Sequence, residues 1–234
     1  MHCLVKVIYL FAILASFDCE DDMNYYKGYN SNHYSFLMHP RKHFTLDYVK
    51  VSTIGEGTIS DIPNMESLMF DGIRIDKIEP GAFPNLPRLK SLRIMECYIS
   101  RINAGVFNNL NITELHITGN KRPLRFAAGA FDNMTSLQKL RQDRIQLSIW
   151  DPHWFVNTPQ LKHIYAYENH LTEIPEDAFQ NLNSDNEIII FFPFNQIRKV
   201  HNYAFRGIKK IKLLSLQHNR LEEFSGYILK NRIC

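Results

Sequence analysis

Apolar residues recur along the chain at a spacing that neither a helix nor a strand explains. In LKSLRIMECYISRINAGVFNNL, residues 89–110, they are Leu89, Leu92, Ile94, Ile99, Ile102, Phe107 and Leu110. An amphipathic helix repeats at about 3.6 residues and a half-buried strand at two. The stretch therefore predicts a composite unit, in which a short strand is followed by turns that return apolar side chains to one core.

The same spacing is found seven times. With Leu89 as position 1, apolar residues favour positions 1, 4, 6, 11, 14, 19 and 22, and the units begin at residues 65, 89, 112, 137, 161, 187 and 211. Position 9 is Asn in four units, where an inward amide is expected to satisfy backbone groups at a turn. A weaker unit, with Val49 and Val51 as its strand, is predicted to begin near Leu46. A fixed period of this length is the signature of stacked repeats.

This pattern, L-x-x-L-x-L-x-x-N/C-x-L, resembles the leucine-rich repeat. The triplets GAF at 81–83 and 129–131, GVF at 105–107, DAF at 177–179 and YAF at 203–205 are similar to those of its typical extracellular subclass. That subclass includes Toll-type receptor ectodomains, small matrix proteoglycans and secreted arthropod immune proteins. The resemblance implies a leucine-rich repeat solenoid, or horseshoe, with a parallel β-sheet on its concave face and an irregular, 3₁₀ or short helical convex side.

The first residues are typical of a secretory signal peptide. Lys6 precedes an apolar run from Val7 to Phe17, and Ala15 and Ser16 offer a cleavage site. A membrane anchor is the alternative, but the run is shorter than the ~18–20 apolar residues of a spanning helix. We predict a signal peptide over 1–16, a polar arm or loose cap over 17–43, the repeat domain over 44–224 and a tail over 225–234. The mature chain is then extracellular, with no membrane span.

Cleavage at residue 16 would leave three of the four cysteines. Cys97 falls at position 9, so we predict a buried thiol there. An odd number of cysteines in a secreted chain leaves at least one without a partner in the same chain. We therefore expect a disulfide-linked dimer through Cys19 or Cys234, and a bridge between these two within one chain is the alternative.

Three further features bear on function. Asn111 in NIT and Asn133 in NMT are predicted glycosylation sites. The formal charge of +3, with both signs mixed along the chain, does not favour nucleic acid as a partner. Because no catalytic or metal-binding motif is present and the repeat residues are committed to stacking, we expect no enzyme activity, no cofactor and no metal.

The candidate binding residues are at positions 3, 5 and 7, which alternate with the inward positions 4 and 6 and so face outward on the sheet. They change from polar to apolar along the stack: Arg93, His116, Arg141, Tyr165, Tyr167, Ile189, Phe191 and Leu213. Clustered exposed aromatic residues mark interfaces. Alternatives are a one-residue slip in EIIIFFPF at 187–194, which would turn these residues inward, cover by the N-terminal arm, and self-association.

These observations predict a secreted protein that binds another extracellular protein through its concave face, in a recognition or scaffold role. The resemblance to Toll-type ectodomains points to innate immunity. The alternatives are a soluble Toll-receptor-like decoy or signalling module, and a structural component of the extracellular matrix.

Overall fold

The computed structural model describes residues 42–47, 51–222, 224 and 229. The predicted signal peptide, Cys19, Cys234 and almost all of the predicted arm and tail lie outside these residues.

Eight parallel strands form one sheet, in which the order of the strands follows the chain. They are β1 (His43–Asp47), β3 (Ser67–Asp71), β5 (Ser91–Met95), β7 (Glu114–Thr118), β9 (Lys139–Asp143), β10 (His163–Tyr165), β12 (Ser184–Phe191) and β14 (Ile208–Ser215). From β3 onward, each strand includes positions 3 to 5 of its unit. The predicted repeat solenoid is confirmed.

Short parallel pairs of strands lie on the far side of six of the eight units in the described residues, at or next to positions 13 and 14. The strand β2 (Thr53–Ile54) pairs with β4 (Lys77–Ile78), β6 (Arg101–Ile102) with β8 (Arg125–Phe126), and β11 (Glu173–Ile174) with β13 (Lys199–Val200). Turns and irregular segments form the rest of this side in the described residues. Strands of two residues are therefore found where short helices were one of the predicted possibilities.

The core is a stack of side chains that repeats from unit to unit. A column of phenylalanines at position 19 runs through it, with ring centroids 6.5 Å apart for Phe107 and Phe131, and 5.8 Å apart for Phe131 and Phe155. Trp150 and Trp154 wedge between this column and the outer turns, and each indole N–H donates to a backbone carbonyl. Because each unit buries its apolar face only against its neighbours, stability comes from stacking.

The inward position 9 has the predicted role. Asn169 accepts hydrogen bonds from the backbone N–H of Ile145 and Leu147 and donates to the carbonyl of Gln142. Cys97 holds the same position, 1% exposed, with its thiol 3.2 Å from the carbonyl of Met95. Burial raises its pKa to about 12. The buried thiol at Cys97 is confirmed.

The first unit was predicted in the wrong place. Its strand is His43–Asp47 rather than the segment of Val49 and Val51, because Phe44 and Leu46 pair with Leu68 and Phe70 and occupy positions 4 and 6. Both side chains are buried in that register.

The unit that begins at 161 is two residues longer than the usual 24, and the extra residues fall in NLNSDN, at 181–186. They extend β12, which pairs with β14 over eight residues with two register irregularities. Local contacts satisfy the additional backbone groups: the N–H of Ser184 donates to the carbonyl of Leu182, and the N–H of Asn186 donates to the hydroxyl of Ser184.

A second column marks the turns that lead into the sheet. Asp61, Asn85, Asn109, Asn133 and Asn157 are spaced by 24 residues and have φ between 55° and 65°. Asn and Asp tolerate this left-handed region better than other non-glycine residues. Neighbours are linked: Asn85 donates to Asp61 at 2.8 Å, and Asn157 donates to Asn133 at 3.0 Å. We call these five residues the turn column.

Candidate protein-binding face

The open face of the eight-stranded sheet brings the candidate residues into rows. At position 5, Arg93 pairs with His116, His116 with Arg141, Arg141 with Tyr165, and Tyr165 with Phe191. At position 3, Ile189 lies between His163 and Leu213. This register contradicts the alternative of a one-residue slip in the segment 187–194.

The first half of the face is polar and partly ion-paired. The side chain of His116 is only 14% exposed and lies 3.4 Å from Glu114, with Arg93, Arg141 and Lys139 nearby. Burial, reinforced by these cations and opposed by Glu114, lowers its pKa to about 4. The imidazole is therefore neutral at physiological pH, and Arg93 is the exposed cation of this row.

Arg141 marks the boundary between the two halves. Its Nε lies 2.5 Å from Asp143 Oδ2, and its guanidinium lies over the ring of Tyr165 at 5.3 Å. Burial raises the pKa of the Asp143 carboxyl, while the backbone N–H of Tyr167 and Arg141 act in the opposite direction. These contacts fix the orientation of the Tyr165 ring.

The second half of the face carries two neighbouring sets of aromatic rings, and the rings within each set are in contact. Tyr165 meets Phe191 edge to face at 5.9 Å and stacks on His163 at 6.3 Å. Tyr167 meets Phe194 at 5.3 Å, and Phe194 stacks on His218 at 4.2 Å. We call these six residues the aromatic patch; Ile189 and the 47%-exposed Leu213 adjoin it.

Phe194 and His218 were missed by the sequence analysis, because they belong to position 8. That position has φ between 52° and 66° in the seven units from β3 onward: Gly72, Glu96, Gly119, Arg144, Glu168, Phe194 and His218. The left-handed residue turns the chain out of the strand, and the Phe194 side chain remains 46% exposed. A large apolar residue where other units have Gly or a charged residue is the signal that could have identified it.

The sequence comparisons agree with this architecture. A family described as leucine rich repeat matches residues 63–121, and one described as BspA type leucine rich repeat region matches residues 124–233. The chain is a leucine-rich-repeat protein.

A solved structure with the same fold is the crystal structure of the TLR13-ssRNA13 complex. The present leucine-rich-repeat chain aligns to the TLR13 chain with a TM-score of 0.51 and 17% sequence identity. The alignment covers 74% of the present chain and 31% of the TLR13 chain. The chain thus spans about a third of the length of that receptor chain. No curated protein matches the sequence.

Three residues expected to face outward in the leucine-rich-repeat sheet are in fact buried. Asp143 is covered by Arg141 and accepts a hydrogen bond from the backbone N–H of Tyr167. Pro193 and Ser215 are buried in the last two units of the stack. These three do not contribute to an accessible surface.

Both sequon asparagines of the leucine-rich-repeat chain are exposed and lie on the flank where the chain enters the sheet. Asn111 accepts a hydrogen bond from Ser136, and Asn133 accepts one from Asn157. In both asparagines the side-chain oxygen accepts a hydrogen bond. The side-chain nitrogen Nδ2, to which a glycan would be attached, has no hydrogen-bond partner among the described residues.

The described residues of the leucine-rich-repeat chain include no helix that is long and apolar enough to cross a membrane. The same residues include no group of three or more His, Cys, Asp or Glu side chains that could hold a metal ion.

Proposed function

We propose that this chain is a secreted recognition module that binds an extracellular protein through the aromatic patch, with Arg93 and Arg141 at the edge of the contact. The observation that carries the proposal is the run of partly exposed rings Tyr165, Phe191, Tyr167 and Phe194 on the open sheet face. A solvated sheet face is ordinarily polar, and exposed apolar patches of this kind mark interaction sites.

The arrangement suits binding for an energetic reason. The rings are held by edge-to-face contacts and by the guanidinium of Arg141, so they lose little conformational freedom when a partner covers them. Tyrosine and arginine are enriched among the residues that carry most of the binding free energy. The ion-paired half beside them supplies a polar rim and favours a partner with complementary charge.

The test begins with capture of a partner from extracellular fluid on the immobilised chain, followed by binding of the purified partner to variants. The Tyr165→Ala and Phe191→Ala double variant removes two neighbouring rings. A loss of about 2 kcal/mol for each central residue corresponds to roughly 30-fold weaker binding per substitution.

The matched control is the Ile149→Ala and Tyr203→Ala double variant. Both of its residues are large and exposed, at 73% and 59%, and both lie on the outer turns away from the sheet face. The proposal requires the control to bind like the wild type. Unchanged binding by the Tyr165 and Phe191 variant, with secretion intact, would refute it.

The setting we favour is innate immunity, which the resemblance to Toll-type ectodomains suggests, with a soluble decoy as the related possibility. Retention of the chain on insoluble matrix rather than by a soluble partner would favour a matrix component instead. Because the TLR13 crystal structure is a complex with ssRNA13, a single-stranded RNA belongs in the binding assay, and we expect no binding of it to the aromatic patch.

Secretion, glycosylation and covalent dimerisation belong to the same proposal. Glycosidase treatment of the secreted chain should lower its mass, and substitution of Asn111 and Asn133 by Gln should abolish that change. A dimer through Cys19 or Cys234 should migrate as a monomer once reduced. A monomer in both reducing and non-reducing gels would remove the dimer.

A further inference from the structure

A second surface, which extends from the flank where the chain leaves the sheet to the short strands β4, β6 and β8 on the far side, carries a cluster of cations. Six exposed basic residues lie there within the units that begin at 65, 89 and 112: Arg74, Lys77, Arg101, Lys121, Arg122 and Arg125. We call them the basic flank. From this cluster we propose that the chain binds a sulfated polysaccharide, at a site separate from the aromatic patch.

The repeat brings these residues together, although they are far apart in sequence. Arg74, Tyr98 and Arg122 follow one another at intervals of 24 residues, as do Lys77, Arg101 and Arg125. Arg101 and Arg125 are direct partners in the pair of β6 and β8. Because neighbouring parallel strands lie about 4.8 Å apart, each row places three side chains along about 10 Å of the solenoid.

The charge of the basic flank is only partly neutralised. Lys77 pairs with Glu79 at 2.7 Å, Lys121 with Glu96, and Arg122 with Asp76 at 3.6 Å. Within the described residues, Arg74 and Arg125 have no ion pair, and Arg101 donates to the amide oxygen of Asn103 rather than to a carboxylate. The surplus of three cations equals the formal net charge of the whole chain, +3.

The cluster ends abruptly along the stack. The equivalent residues of the next units are Gln146 and His170 in the first row, and Ile149 and Glu173 in the second. A confined cationic surface attracts a polyanion through summed charge. The existing ion pairs are exposed, so an incoming sulfate or carboxylate displaces them at small cost.

The chemistry of the basic flank favours a polysaccharide over a nucleic acid. Single-stranded nucleic acids bind through free aromatic faces on which bases stack, in addition to cations. Tyr98 is the aromatic ring of this surface in the described units, and guanidinium groups from the units on either side lie over it: Arg74 at 5.4 Å and Arg122 at 5.9 Å. With the ring covered in this way, the surface offers guanidinium and ammonium groups but no stacking platform.

The test uses the full secreted chain and a heparin oligosaccharide of defined length. The Arg101→Ser and Arg125→Ser double variant removes two adjacent cations from the basic flank. We expect about tenfold weaker binding at low salt and elution from immobilised heparin at lower salt, because charge-assisted contacts are lost and fewer counterions are released.

The matched control is the Arg198→Ser and Lys199→Ser double variant, which changes the net charge by the same amount on an outer surface further along the stack. It should bind heparin like the wild type, and all three proteins should unfold at the same urea concentration. Equal weakening in both variants, or tighter binding of a single-stranded RNA than of heparin, would overturn the assignment. Neither result depends on the partner of the aromatic patch.

Discussion

The buried amide of Gln142 is a defect in the core that a single substitution should relieve. Gln142 occupies the inward position 6 of its unit, pairs in register with Ile117, and is 0% exposed. Its side-chain nitrogen and oxygen are both buried, and neither has a hydrogen-bond partner among the described residues. A buried polar group in this state costs about 1–3 kcal/mol.

Methionine has nearly the length and flexibility of glutamine and carries no amide. We therefore expect Gln142→Met to raise the free energy of unfolding by about 1–3 kcal/mol. For a chain of this size, with an m-value of about 3 kcal/mol/M, the urea midpoint should rise by roughly 0.3–1 M at constant m. Circular dichroism or tryptophan fluorescence, which reports on Trp150 and Trp154 in the core, can follow the transition.

Asn169 is the natural comparison, because it is also a buried amide but is fully engaged. Asn169→Ala would leave the backbone N–H groups of Ile145 and Leu147 without their acceptor. The expected loss is about 2–5 kcal/mol, the opposite sign. A lower midpoint for Gln142→Met at unchanged m would refute the reasoning and indicate that the amide is solvated or paired in solution.

Two other predictions follow from buried titratable groups. The pKa of His116 is lowered to about 4 from an ordinary 6.5, so the unfolded chain takes up the proton first and stability falls as the pH drops below about 6.5. At about 1.36 kcal/mol per pKa unit, the wild type should lose up to about 3 kcal/mol more than His116→Gln between pH 7 and pH 4 in urea titrations; parallel losses would contradict this. The pKa of the buried Cys97 thiol is raised to about 12, so in a Cys19→Ser and Cys234→Ser variant this thiol should not react with iodoacetamide at pH 8 while the chain is folded. It should react once urea unfolds the chain. Rapid labelling of the folded protein would show that the thiol is accessible.

Much of the fold could be predicted because the spacing of apolar residues indicates which side chains point into the core. Positions 4, 6, 9, 11, 14 and 19 recur often enough that the strands and core of seven units follow from the period alone. The strand of the first unit was predicted wrongly because HFTLD contains only two apolar residues, Phe44 and Leu46. Two apolar residues fit more than one register of the repeat. What decided the matter was pairing with β3, a long-range contact that the local sequence does not encode.

The candidate face was predictable only in part, for a different reason. Alternation predicts the direction of a side chain but not what covers it, so the burial of Asp143 beneath Arg141 could not be anticipated. Phe194 was missed because the alternation rule ends with the strand, whereas its left-handed backbone places the ring beside Tyr167. Residues at the ends of strands need the backbone conformation as well as the sequence period.

The turn column also defines how this chain can be cut and rejoined. From Asp61 to Asn157 the turns keep an interval of 24 residues, although the strands between them drift: β5 and β7 begin 23 residues apart, and β7 and β9 begin 25 apart. Joints placed at these turns therefore divide the chain into cassettes of equal length, each with one strand of the eight-stranded sheet. Deleting the cassette between Asn109 and Asn133, which carries β7 with Glu114 and His116, would bring Arg93 one strand closer to Tyr165 and shorten the distance between that cation and the aromatic patch.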